Sequence, residues 1–169
     1  MAAIRIQPAR ADDIPRLAEW MVAFVRELRS LSADPYLAAA PPLPAAAWAV
    51  RFRNSVGVAD RFLLVASVDG DPAGFVWANE VLPFIPDSSV GAVGRIEACW
   101  VVPAHRKRGV ARALVSALET ELARRGVRFV EANWLMDNPD AGHAWAALGF
   151  APCRTLVRKA LPGERTPHG

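Results

Sequence analysis

The chain has 169 residues, 53% of them apolar and 22% charged, with a formal net charge of +3. That is enough chain for one domain with its own core, and the composition excludes a disordered body. The charge is too mild for a nucleic-acid footprint, and the one dense basic cluster, His105-Arg106-Lys107-Arg108, suits a single multiply charged small ligand.

The first residues, MAAIRIQPARADD, carry Arg5 and Arg10 and no apolar stretch, so no signal peptide is expected. The longest uncharged run, Tyr36 to Val50, is broken by Pro41, Pro42 and Pro44 and does not read as a membrane helix. Cys99 and Cys153 make neither a disulfide framework nor a metal cluster. They read as thiols of a reducing compartment, with the cytoplasm as the expected location.

In chain order, Ile4 to Gln7 alternates apolar with polar and predicts a short strand. Asp12 or Asp13 then offers an N-cap to a helix in which Ile14, Leu17, Met21, Phe24 and Leu28 recur at three- and four-residue steps. It fades at residues 30–32. A Pro- and Ala-rich segment follows, and Ala45 to Phe52 predicts a second short helix. Arg61–Val68 and Ala73–Asn79 are β-rich runs separated by Asp69-Gly70-Asp71-Pro72, an antiparallel hairpin. Residues 80–94 hold Pro83, Pro86, Gly91 and Gly94 and read as a long connection of the kind that is often functional.

A strand from Ile96 to Val102 comes next, then a helix whose apolar stripe is Val110, Leu114, Ala117, Leu118 and Leu122. Arg112, Glu119, Arg124 and Arg125 lie on its outer side, and Gly126 ends it. Val127 to Trp134 predicts a strand, and residues 139–148 a helix. Gly149-Phe150 leads into a last extended stretch, one bent strand or two, reaching Leu161. No repeat or domain boundary interrupts residues 1–161, and residues 162–169 read as a flexible tail.

The chemistry concentrates where the strand ending at Val102 meets the next helix. There Arg106, Gly109 and Ala111 stand in an R-x-x-G-x-A spacing. A diphosphate bound without metal needs several donors converging on its oxygens. The N–H groups of Lys107 to Ala111 would supply them, aided by the helix dipole. Gly109 permits close approach, and Ala111 keeps the first turn thin. A G-x-G-x-x-G fingerprint is missing, which counts against a Rossmann fold.

Two longer patterns, V-x-P-x-x-R-x-x-G-x-A at Val101–Ala111 and N-x-x-A-x-x-x-W-x-x-x-G-F at Asn138–Phe150, resemble the GNAT superfamily of acetyl-CoA-dependent N-acetyltransferases. With the order of elements, the resemblance covers Ile4 to about Leu161. It implies an α/β (α+β) domain with a mixed, mostly antiparallel sheet of six or seven strands, about four helices on its faces, and central strands splayed at the cofactor. It further implies transfer of an acetyl group from acetyl-CoA, a co-substrate used without metal, to a primary amine by direct attack in a ternary complex. The acceptor would be a small molecule or a peptide, the protein a monomer or homodimer, with neither nucleic acid nor membrane as partner. The alternative is a non-catalytic acyl-CoA sensor or scaffold of the same fold.

By the same resemblance the pyrophosphate would sit at Arg106, Lys107, Arg108, Gly109, Val110, Ala111 and Arg112, with Arg106 ordering the loop. Backbone groups of Trp100, Val101 and Val102 would pair with pantetheine like an added strand. Glu97 would act as general base, through water, since only a neutral amine attacks a thioester. Strand alternation places Glu97, Cys99 and Val101 on one face.

Trp145 stands where many members carry a tyrosine that protonates the leaving thiolate. An indole N–H donates a hydrogen bond without releasing its proton, so Trp145 would orient the sulfur, or simply pack. Asn138 reads as a helix cap; the resemblance implies that it also bonds the pantetheine or supports the splayed strand, and that Ala141 is small where the helix passes the cofactor. The acceptor would lie opposite the cofactor, near the 80–94 connection. Glu80 and Asp87 would attract a cation there, and Trp48, Trp77 and Phe84 would form an aromatic wall.

Overall fold

The computed structural model describes residues 3–39, 42–85 and 89–159. The elements run β1 (Ile4–Pro8), α1 (Ile14–Leu31), α2 (Pro35–Ala39), α3 (Ala45–Arg53), β2 (Arg61–Val68), β3 (Asp71–Val81), β4 (Val93–Val101), α4 (Val110–Arg124), β5 (Val130–Ala132) and α5 (Pro139–Ala147). The sheet has the order β1-β2-β3-β4-β5, antiparallel throughout except for the parallel pair β4–β5.

The five strands among the described residues correct the expected six or seven, and five α-helices replace about four. The extra helix is α2, a single turn in the Pro- and Ala-rich segment. Its five residues are too few to show a period. The missing strands belong to the last extended stretch. Residues 151–159 form no ladder, and Leu156 and Val157 are 84% and 85% exposed. Those two apolar residues are adjacent rather than alternating, so the stretch has no single face to bury. Residues 160 and 161, and the expected tail at 162–169, lie outside the described residues.

The β2–β3 hairpin turns at Asp69 and Gly70, both with positive φ (52° and 97°), the backbone a type I′ turn requires. Two apolar clusters flank the sheet. On one side α1 and α3 press Leu17, Met21 and Phe52 onto Leu63, Val65, Phe75, Ala98 and Trp100. On the other, α4 presses Val110, Leu114, Leu118 and Leu122 onto Leu64, Val76, Ala78 and Ile96.

Two irregularities set β4 apart from its neighbours. First, Trp77 pairs with Ala98 but Ala78 with Ile96, so Glu97 is an extra residue, a β-bulge. Second, β4 pairs with β5 only over Gly94–Val130, Arg95–Glu131 and Ile96–Ala132. Beyond Ile96 the two strands part, and among the described residues the stretch from Glu97 to Val101 has no strand beside it on that side.

Candidate active site

The bulge re-aims the side chains of β4. Ile96 belongs to the α4-side cluster, Ala98 and Trp100 to the α1/α3 side, and Cys99 and Val101 again to the α4 side. Regular alternation would have kept Ile96 and Ala98 together. The expectation that Glu97, Cys99 and Val101 share a face therefore fails. The Glu97 carboxylate instead accepts a hydrogen bond from Asn79 Nδ2 at 3.2 Å. Asn79 continues the β3 row of Phe75 and Trp77, which faces α1 and α3. Glu97 is exposed, so it can meet a ligand.

Past Val101 the chain makes a short 3₁₀ turn, Pro103–His105, and then the basic loop. Arg106 organises it. Its Nε donates to the Val101 carbonyl at 3.0 Å, and its two terminal nitrogens grip Glu27 of α1 at 3.1 and 2.8 Å. Its guanidinium also lies 4.6 Å from the Trp100 ring centroid. Three of its five N–H donors are thus engaged within the protein. Lys107 (φ 59°) and Gly109 (φ 85°) both take the left-handed conformation. At Lys107 that costs about 1–2 kcal/mol, an expense that folding tolerates where a loop shape is needed. A Cβ on Gly109 would meet only Ile4 Cδ1 at 3.8 Å, so the demand for glycine there is its φ rather than crowding within the chain.

Gly109 is also the N-cap residue of α4, with no side-chain cap. The first hydrogen bond of the helix runs from Ala113 N–H to the Gly109 carbonyl, so the N–H groups of Val110, Ala111 and Arg112 have no helical acceptor. They point out of the helix beside exposed Lys107 and Arg108. The Arg112 side chain is turned elsewhere: it donates to the Ala147 carbonyl at the end of α5, at 3.0 Å. Only its backbone can face an anion.

The open edge of β4 supplies the neighbouring surface. Val102 N–H donates to the Ala73 carbonyl at 2.9 Å, so alternation turns the backbone of Val101 and Cys99 away from β3, toward the gap left by β5. Trp100 and Val102 direct theirs to β3. Asn138 caps α5, its side chain accepting from Ala141 N–H at 3.1 Å. Trp145 packs on the α4-side cluster and meets the Phe150 ring edge-on at 5.0 Å.

On the acceptor side, Glu80 is ion-paired with Arg125 at 2.8 Å and is no free anion, while Asp87 lies outside the described residues. Trp48 and Trp77 pack around Phe52 in the core, and Phe84 is exposed under Arg154. Those aromatics do not form one wall. Two side chains that touch the candidate residues escaped the sequence. Asn79 meets Glu97 across a bulge, and Glu27 meets Arg106 across 79 positions. No local pattern encodes either pair.

The C-terminal segment is tied down by charge. Arg154 pairs with Glu131 at 2.8 Å, and Arg158 pairs with Asp34 and covers the Tyr36 ring. The Tyr36 N–H bond, and after an opposing effect of burial the Arg158 guanidinium, hold the Asp34 carboxyl below its usual range.

A model of the acetyltransferase (GNAT) family matches residues 25–150. The fold is similar to that of AAC(6')-Iy, an aminoglycoside N-acetyltransferase, solved in complex with the bisubstrate analogue CoA-S-monomethyl-acetylneamine. That similarity has a TM-score of 0.75 at 18% identity and covers 95% of this chain and 99% of that one. Aminoglycoside 6'-N-acetyltransferase AAC(6')-Ih from Acinetobacter baumannii is similar at a TM-score of 0.70 and 21% identity, over 95% and 100% of the two chains. A GCN5-related N-acetyltransferase from Ralstonia eutropha JMP134 is similar at 0.67 and 22%, over 94% and 99%. No curated protein matches significantly.

Proposed function

The chain belongs to the acetyltransferase (GNAT) family, and from that premise we propose that it moves an acetyl group from acetyl-CoA to a primary amine. The observation that carries this reading is the uncapped N-terminus of α4, set behind two left-handed residues and beside a β4 edge with no neighbouring strand among the described residues. N–H groups of Val110, Ala111 and Arg112, with the Lys107 and Arg108 side chains, would hold the pyrophosphate. The Val101 N–H and the Cys99 backbone would meet the pantetheine amides as a strand would. Acetyl-CoA supplies an acetyl group activated as a thioester.

The rest falls to this chain's own residues. Glu97, exposed at the bulge and steadied by Asn79, receives the ammonium proton of the acceptor, directly or through a water. The neutral nitrogen attacks the thioester carbon: a C–N bond forms, the C–S bond breaks as the thiolate leaves, and the nitrogen gives its second proton to water to become the amide. With a thiol pKa near 8.5, that thiolate can take its proton from solvent. Trp145 packs beside Phe150 and gives no proton. Asn138 keeps to its capping role and Ala141 presents little bulk to the pantetheine. The solved AAC(6') enzymes are named for aminoglycosides, and for this chain the supported class is a primary amine.

Titration calorimetry with acetyl-CoA, then a thiol-release assay over an amine panel, tests the reading. Binding with thiol release is expected. In Gly109→Val the affinity falls at least about tenfold, because a β-branched residue resists φ near +85°. Binding without thiol release from any amine would favour the acyl-CoA sensor, and no binding would overturn both.

A further inference from the structure

On the α3 face of the sheet, next to the Glu97–Asn79 pair, opens a cavity of about 420 Å³ whose lining includes Arg51, Ser55, Asp60, Arg61, Trp77 and Asn79. Resting on the acetyl-transfer reading above, we propose that this cavity receives the acceptor and selects an amine carrying an anionic group at its far end, bound by Arg61 and Arg51.

The strand register aligns the groups involved. Arg61 of β2 is the direct cross-strand partner of Asn79 of β3, and Asn79 bonds Glu97 of β4. Cation, amide and carboxylate thus run diagonally across three neighbouring strands, since the register partner of Asn79 on β4 is Arg95, two residues before Glu97 and itself paired with Glu131 at 3.6 Å. Strands lie about 4.8 Å apart, so two spacings set a lower bound of about 10 Å between the ends of the diagonal at the backbone. Arg61 reaches the α3 side, where one terminal nitrogen donates to the Asn54 carbonyl at 2.7 Å. Its only carboxylate neighbour among the described residues, Asp60, stands at the 4.0 Å limit. Arg51 lies over the Trp48 ring at 5.1 Å and has no carboxylate partner among the described residues.

Two guanidiniums therefore share the lining with two carboxylates, the loosely held Asp60 and Glu80, whose charge is taken up by Arg125 at 2.8 Å, and several donors of Arg51 and Arg61 remain open. At the opposite end, the Asn79 Oδ1 and Trp77 Nε1 atoms are buried without partners. An amine entering beside Glu97 would bring an N–H donor to Asn79 Oδ1, whereas Trp77 Nε1 is itself a donor and needs an acceptor from the ligand. Such a wall attracts a carboxylate or a phosphate bidentately and repels a second positive charge. A polyamine meets like charge where the anionic amine meets its partner.

The probes are 6-aminohexanoate, 6-aminohexyl phosphate, hexylamine and spermidine, each titrated with saturating acetyl-CoA. One anionic amine is expected to exceed hexylamine about tenfold in kcat/KM, mainly through KM, with spermidine lowest. The better of the two names the anion. Arg61→Gln and Arg51→Gln should each shrink that ratio, and Arg61→Lys should restore part of it. Hexylamine or spermidine matching the anionic amines would overturn the proposal, as would a ratio unmoved in both Gln variants. Calorimetry on CoA-saturated protein reads the same order without turnover. Absence of thiol release with every amine thus counts against the transfer reaction, while the binding order decides the anionic preference.

Discussion

Glu97 shows what one residue's position can and cannot reveal. Its distance from Arg106 was readable in the sequence, and so was the need for a base. Its facing was not, because the bulge that sets it depends on pairing with β3. Asn79 was equally hidden, a polar residue near the end of an apolar strand whose partner lies 18 positions away. If Glu97 takes the ammonium proton, Glu97→Gln should lower kcat/KM about 10²-fold near pH 7. The deficit should shrink as pH approaches the acceptor's own pKa near 10, where free amine needs no base. A deficit constant from about pH 6 to 10 would instead assign Glu97 to binding. Trp145, already packed on Phe150, has no part in that profile.

Among the elements, α1, α3, α4 and the β2–β3 hairpin were legible because each carries a strong period or a turn signal of its own. The loop before α4 was legible too, through Arg106, Gly109 and Ala111. What holds that loop was not. Glu27 projects from α1 and closes on Arg106, and the half-exposed bidentate pair contributes about 1 kcal/mol. Trp100 beneath the guanidinium adds a similar amount. Glu27→Gln should therefore weaken CoA binding by about three- to tenfold, because the loop loses its ordering before the ligand arrives. Calorimetry measures the affinity, and a thermal melt should shift by only a few degrees. β5 proved shorter than its apolar run, and residues 151–159 formed no strand. In both places the outcome depends on neighbours across the sheet rather than on local pattern.

For the molecule as a whole, the sheet is a wall between two apolar compartments; the order of elements gave one mixed α/β domain, and helices on the faces of its sheet followed from the family resemblance. Against the α4-side compartment packs the half-buried Cys99, whose thiol burial pushes up to about 12 from 9.0. The folded state thus keeps a proton that the unfolded chain surrenders above pH 9.0. Stability linked to this group is fully present below pH 9.0 and is lost as pH rises toward 12. Urea midpoints should fall over that window, and Cys99→Ala should flatten the decline. Exposed Cys153 should react with a thiol reagent in the native protein while Cys99 stays protected. The extra residue in β4 carries one more implication. Removing it would rotate Val93 to Ile96 to the wrong compartment, whereas exchanging its carboxylate for another group leaves every strand in place. The backbone slot and the acid it displays are separately heritable, so a sister chain could go chemically silent without any change of silhouette.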